Sequence, residues 1–270
     1  MNAIRRLQEV YSPGEARAVY RLVMETRFHL SMTDILLGKD KELSPNDLAE
    51  WEIILSRLLD GEPVQYVLGE ADFCGLKLHV EPGVLIPRPE TAQLVDAILR
   101  DTDAGCRVLE IGTGSGCIAV ALAKAGYRVT ATDVSAVALC VARRNAEQQG
   151  VEVQLVEDDV LHTRLQPAQW EVVVSNPPYI CQNEAAAMEQ LVLDHEPHEA
   201  LFVPAHDPLR FYRAILQLAA SRLTPMGSVY FEINRLYGEE LCAMARQMGF
   251  VHTALWQDSF GNNRFVKCSR

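Results

Sequence analysis

The sequence predicts an α/β protein, a parallel doubly wound sheet preceded by a small helical domain. Three observations carry this. From about residue 105 onward, short apolar runs alternate with helical periodicity in the order β-α-β-α, which builds a parallel sheet with helices on both faces. Residues 1–68 show helical spacing alone. A Gly-x-Gly-x-Gly loop, Gly112 to Gly116, stands where a predicted strand meets a predicted helix, the place where such sheets bind ligands.

The elements follow in order. In the N-terminal stretch Ile4, Leu7, Val10 and Tyr11 recur at helical spacing, as do Val19, Leu22 and Val23. Ser44-Pro45-Asn46-Asp47 is a helix start, with a Ser cap, a Pro in the first turn and an acid three residues after the cap. Leu48, Trp51, Ile54, Leu55, Leu58 and Leu59 then share one face, and Asp60-Gly61-Glu62-Pro63 ends the helix. Residues 69–90 are predicted to be a β-hairpin linker, with Phe73 to Val80 as one strand, Glu81-Pro82-Gly83 as the turn and Val84-Leu85-Ile86 beyond it. The α/β domain is expected over residues 91–270, opening on a helix near Thr91. Its strands are Arg107–Ile111, Arg128–Thr132, Val151–Val156, Glu171–Val174 and Ser228–Ile233, with helices over 115–125 and 135–149.

Composition narrows the function. Apolar residues make up 49% of the 270 and the formal net charge is −11, with no run of Lys and Arg. A sequence-independent grip on a nucleic-acid backbone relies on clustered cations, so no direct nucleic-acid partner is expected. The seven cysteines form no Cys-x-x-Cys pair and read as small buried hydrophobes in a reducing compartment. No signal peptide or membrane span is read. A cytoplasmic monomer is the expectation.

The glycine loop reads as a cofactor cradle. Glycines let the backbone turn sharply and approach a ligand. Asp133 ends the next strand, 19 residues after Gly114, where a carboxylate can accept both hydroxyls of a ribose; its other reading is to cap the helix at Ser135. A dinucleotide or an adenosyl cofactor would suit this pattern. Glu110 beside the loop would repel a pyrophosphate but suits the cationic amino-acid end of S-adenosyl-L-methionine, so Glu110, Gly112, Thr113, Gly114, Ser115 and Gly116 are assigned to that cofactor. Asp158 and Asp159 close the third strand, where an adenine amine needs an acceptor; either is equally a solvated loop acid.

The most informative stretch is Val172-Val173-Val174-Ser175-Asn176-Pro177-Pro178-Tyr179. A buried strand runs straight into it. The two prolines lack N–H groups, so the loop presents carbonyl acceptors, and a residue before proline is held extended. The Asn176 side-chain oxygen and the Pro177 carbonyl can then accept the two hydrogens of an NH2 group, and Tyr179 offers an aromatic face for a flat amide or base. This predicts a planar, weakly nucleophilic nitrogen acceptor, with Asn176, Pro177 and Tyr179 as the catalytic group.

Other features carry less. Asp194-His195-Glu196-Pro197-His198-Glu199 has metal-like residue types at poor ligand spacing, so no metal is assigned. Glu196 is read as ordering the loop below Asn176, and Glu232 as either a cleft residue or a capping acid. Trp51, Trp170 and Trp256 read as packing residues.

Ile86-Pro87-Arg88-Pro89-Glu90-Thr91, Glu110 to Gly116, Ser175 to Tyr179 and Glu196-Pro197 before Ala200-Leu201 together resemble the protein-(glutamine) methyltransferases of the HemK/PrmC type. The resemblance covers nearly the whole chain. It implies a seven-stranded methyltransferase sheet and methylation of the glutamine of the Gly-Gly-Gln motif in class 1 peptide-chain release factors. It further implies cofactor binding by Gly112 to Gly116, Asp133 and the Asp159-Val160 segment, with Asn176 also at the cofactor, and glutamine binding by Asn176, Pro177, Pro178 and Tyr179. Residues 1–68 would dock the folded substrate. Many relatives have an aromatic where this chain has Val160. A sister family that methylates a ribosomal protein shares the Asn-Pro-Pro-Tyr loop, but its linker reads more like Pro-Arg-Ser-Pro. Adenine-specific nucleic-acid methyltransferases share the loop too, with a basic face and a recognition domain that this chain lacks. A catalytically silent scaffold would need neither Asn176 nor Asp133.

Overall fold

The computed structural model describes residues 3–187 and 190–270. The first two residues of the predicted helical stretch, and residues 188–189 of the predicted α/β stretch, lie outside them. The described residues fall into two compact units, Met1–Glu70 with Glu189–His195, and Ala71–Met188 with Glu196–Arg270.

In the first unit the helices are Ala3–Leu7, Pro13–Arg27, Met32–Leu36, Pro45–Leu59, Val64–Leu68 and Gln190–His195. Ser12, Ser31 and Ser44 cap three of them, each in a reciprocal box with an acid three residues on: Glu15, Asp34 and Asp47. Each such cap is worth about 1 kcal/mol. Leu7, Val23, Met24, Leu55 and Leu58 form the buried centre, and Trp51 meets Tyr20 edge-on at 5.5 Å. Leu48, in the first turn of its helix, stays 47% exposed. Gly61 takes φ 85° where that helix ends, and a Cβ there would stand 2.9 Å from Leu191, so the chain returns to this unit through a contact that only glycine permits.

In the second unit the strands are β1 (Glu70–Phe73), β2 (Leu76–His79), β3 (Arg107–Ile111), β4 (Arg128–Asp133), β5 (Val153–Glu157), β6 (Trp170–Ser175), β7 (Ile180–Cys181), β8 (Phe202–Val203), β9 (Leu223–Glu232), β10 (His252–Gln257) and β11 (Asn263–Ser269). Strands β1 and β2 form the hairpin, but its turn is Cys74-Gly75, not Glu81-Pro82-Gly83, and Val84–Ile86 is not a strand. Both turn residues have positive φ, 49° and 75°, as a two-residue loop matching strand twist requires. The main sheet has seven strands in the order β10-β11-β9-β6-β3-β4-β5. The parallel expectation holds for β3, β4, β5, β6 and β9. It fails for β11, which returns antiparallel between β9 and β10, because Asp258 to Asn262 is too short to carry the crossover a parallel neighbour needs.

The alternation within strands divides the core in two. Val108, Val172, Val174 and Tyr230 face one apolar layer, shared with the helices Pro89–Asp101 and Cys117–Lys124. Leu109, Val173, Val229 and Phe231 face the other, shared with the helices Arg210–Arg222 and Gly238–Gln247. Sheets buried on both faces read as continuous apolar runs for this reason. Trp170 is buried in the second layer and Trp256 stacks on Phe265 at 5.3 Å. Asn145, fully buried on the helix Ala136–Gln149, ties hairpin to glycine loop: its Oδ1 accepts from His79 N at 2.6 Å, and its Nδ2 donates to His79 O at 2.9 Å and Ser115 O at 2.8 Å. Of the cysteines, Cys74 and Cys140 are exposed and not buried as read from the sequence, since each sits on a turn or helix face that turns outward. Among the described residues no helix is long and apolar enough to cross a membrane.

Candidate active site

The chain runs from β3 outward through β4 and β5, then returns to place β6 on the other side of β3. A crevice opens at the C-terminal ends of strands where the winding reverses. Here a cleft admits water-molecule centres over about 180 Å³, and its walls include Glu110, Gly112–Ser115, Asp133, Asp158–Val160 and Asn176–Pro178. Four strand ends thus deliver residues far apart in sequence to one place.

Gly112 and Gly114 have φ of 75° and 55°, and nothing lies within 4 Å of where a Cβ would project, leaving backbone free to face a ligand. Gly116 is different. It does not line the cleft; its Cβ would stand 2.9 Å from Ala142 Cβ and 3.0 Å from Ala142 Cα. At this point the glycine lets two helices pack closely. Asp133 Oδ2 accepts from Gly114 N and Oδ1 from Ser135 N, both at 2.9 Å. It orders the loop and the turn after β4, with lone pairs to spare. Burial raises its pKa, and these N–H groups oppose the rise.

Glu110 is 1% exposed, and Thr113 Oγ1 donates to it at 2.7 Å. Burial, with Asp133 nearby, pushes its carboxyl up to about 8. Asp159 caps the turn Val160–His162, accepting from Leu161 N and pairing with His162; that pairing holds it below the usual carboxylate range. Asp158 accepts from Arg164 N at 2.7 Å.

Asn176 Nδ2 donates to Thr91 Oγ1 at 3.4 Å. Pro177 and Pro178 line the cleft beside it; Tyr179 does not. The Tyr179 ring packs against the second apolar layer, partly buried, and its hydroxyl donates to Glu232 at 3.1 Å. Glu196 is buried, but it holds the segment before the first helix: it accepts from Ile86 N at 3.2 Å and Arg88 Nη2 at 2.5 Å. The cleft also takes in Gly83–Leu85, Thr91, Pro197, Glu199 and Phe211. Gly83, Thr91 and Pro197 belong to stretches singled out in the sequence without a place in the cleft; Phe211 arrives on a helix for which the sequence reading has no element.

The wall carries five carboxylates (Glu110, Asp133, Asp158, Asp159, Glu199) and one cation, Arg88, already bonded to Glu196. A pyrophosphate would meet repulsion there. An adenosyl group with a cationic amino-acid end fits: open glycine backbone, a buried carboxyl short of a cation, and acids at the ends of β4 and β5.

Comparison with known proteins agrees. Residues 1–69 match the PrmC N-terminal domain and residues 89–198 the methyltransferase small domain. A release factor glutamine methyltransferase from Bacteroides thetaiotaomicron is 43% identical over 267 residues, covering 98% of this chain and 96% of its own. One from Flavobacterium psychrophilum is 37% identical, with coverage of 98% and 95%. Among solved structures, the T. thermophilus 16S rRNA N2 G1207 methyltransferase in complex with AdoMet and guanosine superposes with a TM-score of 0.55 at 18% identity, over 74% of this chain and 49% of that one, a likeness of fold. With this cleft, this sheet order and relatives matched over almost their whole length, the chain belongs to the release factor glutamine methyltransferase family.

Proposed function

We propose that this enzyme transfers a methyl group from S-adenosyl-L-methionine to the side-chain amide nitrogen of the glutamine in the Gly-Gly-Gln motif of class 1 release factors. The observation that carries the reading is the meeting of an acidic, glycine-floored cradle with the Asn176-Pro177-Pro178 acceptors at the ends of two adjacent strands. Glu110 and Gly112–Ser115 would hold the amino-acid end of the cofactor, Asp133 its ribose, and Asp158, Asp159 and Val160 the adenine. When bound, it supplies a methyl group on a sulfonium.

The rest is done by the protein. An amide nitrogen is a poor nucleophile because its lone pair is delocalised. The Asn176 oxygen and the Pro177 carbonyl accept its two hydrogens and set its direction. No His or Lys lines the cleft among the described residues. The chain therefore works by positioning and by matching charge, and the proton passes to water after transfer. Labelled methyl transfer to release factor, to the ribosomal protein of the sister family and to DNA tests the reading; label on either of the last two and none on release factor would overturn it.

The helical unit docks the folded substrate, because one glutamine side chain is a small handle. Leu36 and Leu37 stand 77% and 72% exposed on it. Changing both to Ser should raise KM for intact release factor about fivefold, the effect of about 1 kcal/mol, with cofactor affinity unchanged; an unchanged KM would reject this surface. The enzyme acts as a cytoplasmic monomer without a nucleic-acid partner. Its net charge of −11 supports the last point, and light scattering tests the monomer.

A further inference from the structure

Glu232 ends β9, and Thr91 lies in the first turn of the helix Pro89–Asp101. The sheet puts β9 beside β6, so both come to lie behind Asn176. Thr91 is 2% exposed and Glu232 1%. The Thr91 hydroxyl donates to Glu232 Oε2 at 2.6 Å, the Tyr179 hydroxyl donates to Glu232 Oε1 at 3.1 Å, and Asn176 Nδ2 donates to Thr91 Oγ1 at 3.4 Å.

The order of donors in this chain has a consequence. A carboxylate only accepts, and a hydroxyl has one proton. With that proton committed to Glu232, Thr91 can meet Asn176 only as an acceptor. The amide of Asn176 must then turn its NH2 to Thr91 and leave its oxygen for the cleft. The opposite orientation would set the amide oxygen against a hydroxyl with no proton to give, and would present two donors to a substrate group that is itself a donor. Burial raises the Glu232 carboxyl above its ordinary value, and Thr91, Arg264 and Tyr179 pull it back; it accepts from both hydroxyls.

We propose that Thr91 and Glu232 are positioning residues that fix the side-chain amide of Asn176 with its oxygen toward the substrate, making the site select an NH2 donor over an oxygen acceptor. This rests on the reading of the substrate as a glutamine amide. Neither residue touches the reacting atoms in this scheme; Glu232 acts through Thr91, and Thr91 through Asn176.

The test uses the full-length enzyme with Thr91→Val, Thr91→Ser and Glu232→Gln. It reads kcat, cofactor affinity by calorimetry, and binding of release factor carrying either Gln or Glu at the target position. The wild type should prefer the Gln form. Thr91→Val keeps the shape but lets the amide turn, so kcat should fall about tenfold and the Gln-over-Glu preference by a similar factor, with cofactor affinity within about twofold. Thr91→Ser, which restores the hydroxyl, should recover both. Glu232→Gln can present a donor to Thr91 and should show the same loss of preference, which serves if Thr91→Val fails to fold. A loss of packing alone would not change the ratio of the two affinities. Wild-type kcat and preference in Thr91→Val, or wild-type preference in Glu232→Gln, would overturn the relay while leaving the proposed function standing. A wild-type enzyme that leaves the glutamine of release factor unmethylated would overturn both.

Discussion

Glu110, next to last in β3, and Glu232, last in β9, flank β6 in the same sheet, and both are 1% exposed. Their surroundings differ. Glu232 receives two hydroxyl hydrogen bonds and faces Arg264. Glu110 receives the Thr113 hydroxyl and the Ala119 backbone N–H, and lies near another acid, Asp133. Burying a carboxylate is costly unless donors or cations replace water. Burial raises both carboxyls, but at Glu232 the Thr91 hydroxyl, the Arg264 charge and the Tyr179 hydroxyl pull the pKa back. Glu110 has no cation beside it among the described residues, and burial pushes its carboxyl up to about 8; a positively charged ligand would relieve that. A satisfied buried acid orients its neighbours; an unsatisfied one at a cleft waits for a ligand.

The sharpest way to separate the two halves of the cleft is Asn176→Ala. It removes the acceptor on the Glu232 side and should lower turnover about a hundredfold, with cofactor affinity within a few fold; near-full turnover would break the assignment. Asp133→Ala acts on the other half. Two charge-assisted hydrogen bonds to the ribose would go, each about 1.5–3 kcal/mol, and Gly114 N and Ser135 N would lose their acceptor. Cofactor affinity should fall at least a hundredfold; unchanged titration curves would remove Asp133 from the site.

Glu110 gives a smaller effect with a signature in pH. Burial pushes this carboxyl up to about 8, so below that pH binding a cation should drive a proton off. Cofactor affinity should therefore rise by up to about tenfold per pH unit from pH 6 to 8 and level off above. Glu110→Gln should bind about tenfold more weakly at pH 8 and show no such slope. Stability moves the other way: a carboxyl raised on folding stabilises fully below its unfolded pKa, and that contribution is lost as pH rises toward 8. Glu110→Gln should thus gain Tm relative to wild type at pH 8 but not at pH 4. Equal pH profiles for the two proteins would end the comparison drawn above. The smallest effect expected is on the chemical step itself. With both substrates saturating, the cofactor's cation keeps Glu110 ionised, and single-turnover rates should vary less than about twofold from pH 6.5 to 8.5. A rise of about tenfold per unit would require a titrating base.

Legibility differed between these regions for a physical reason. The loop from Glu110 to Ser115, Asp133 and Asn176 to Pro178 each sit at a strand end, and their residue types announce what the backbone does there. Gly116 carries the same local signal as its neighbours, yet Ala142, on the next helix, decides its role. Tyr179 reads from the sequence as an aromatic face for a flat amide, and only the tertiary structure shows that its hydroxyl reaches the buried Glu232. The hairpin turn is not legible in the sequence because Cys74-Gly75 is an inconspicuous pair beside Glu81-Pro82-Gly83.

The sequence by itself determined what depends on near neighbours: capped helices, the alternating strand and helix order, the glycine loop and the proline-locked acceptor. Tertiary structure alone decided what depends on strand order. It set β9 beside β6 and so placed Glu232 and Thr91 behind Asn176. It reversed β11, brought Phe211 to the cleft, and buried Glu110 deeply enough to raise its pKa. A side chain's polarity is written in its own residue, but its hydrogen-bond direction and its charge are properties of the groups that surround it.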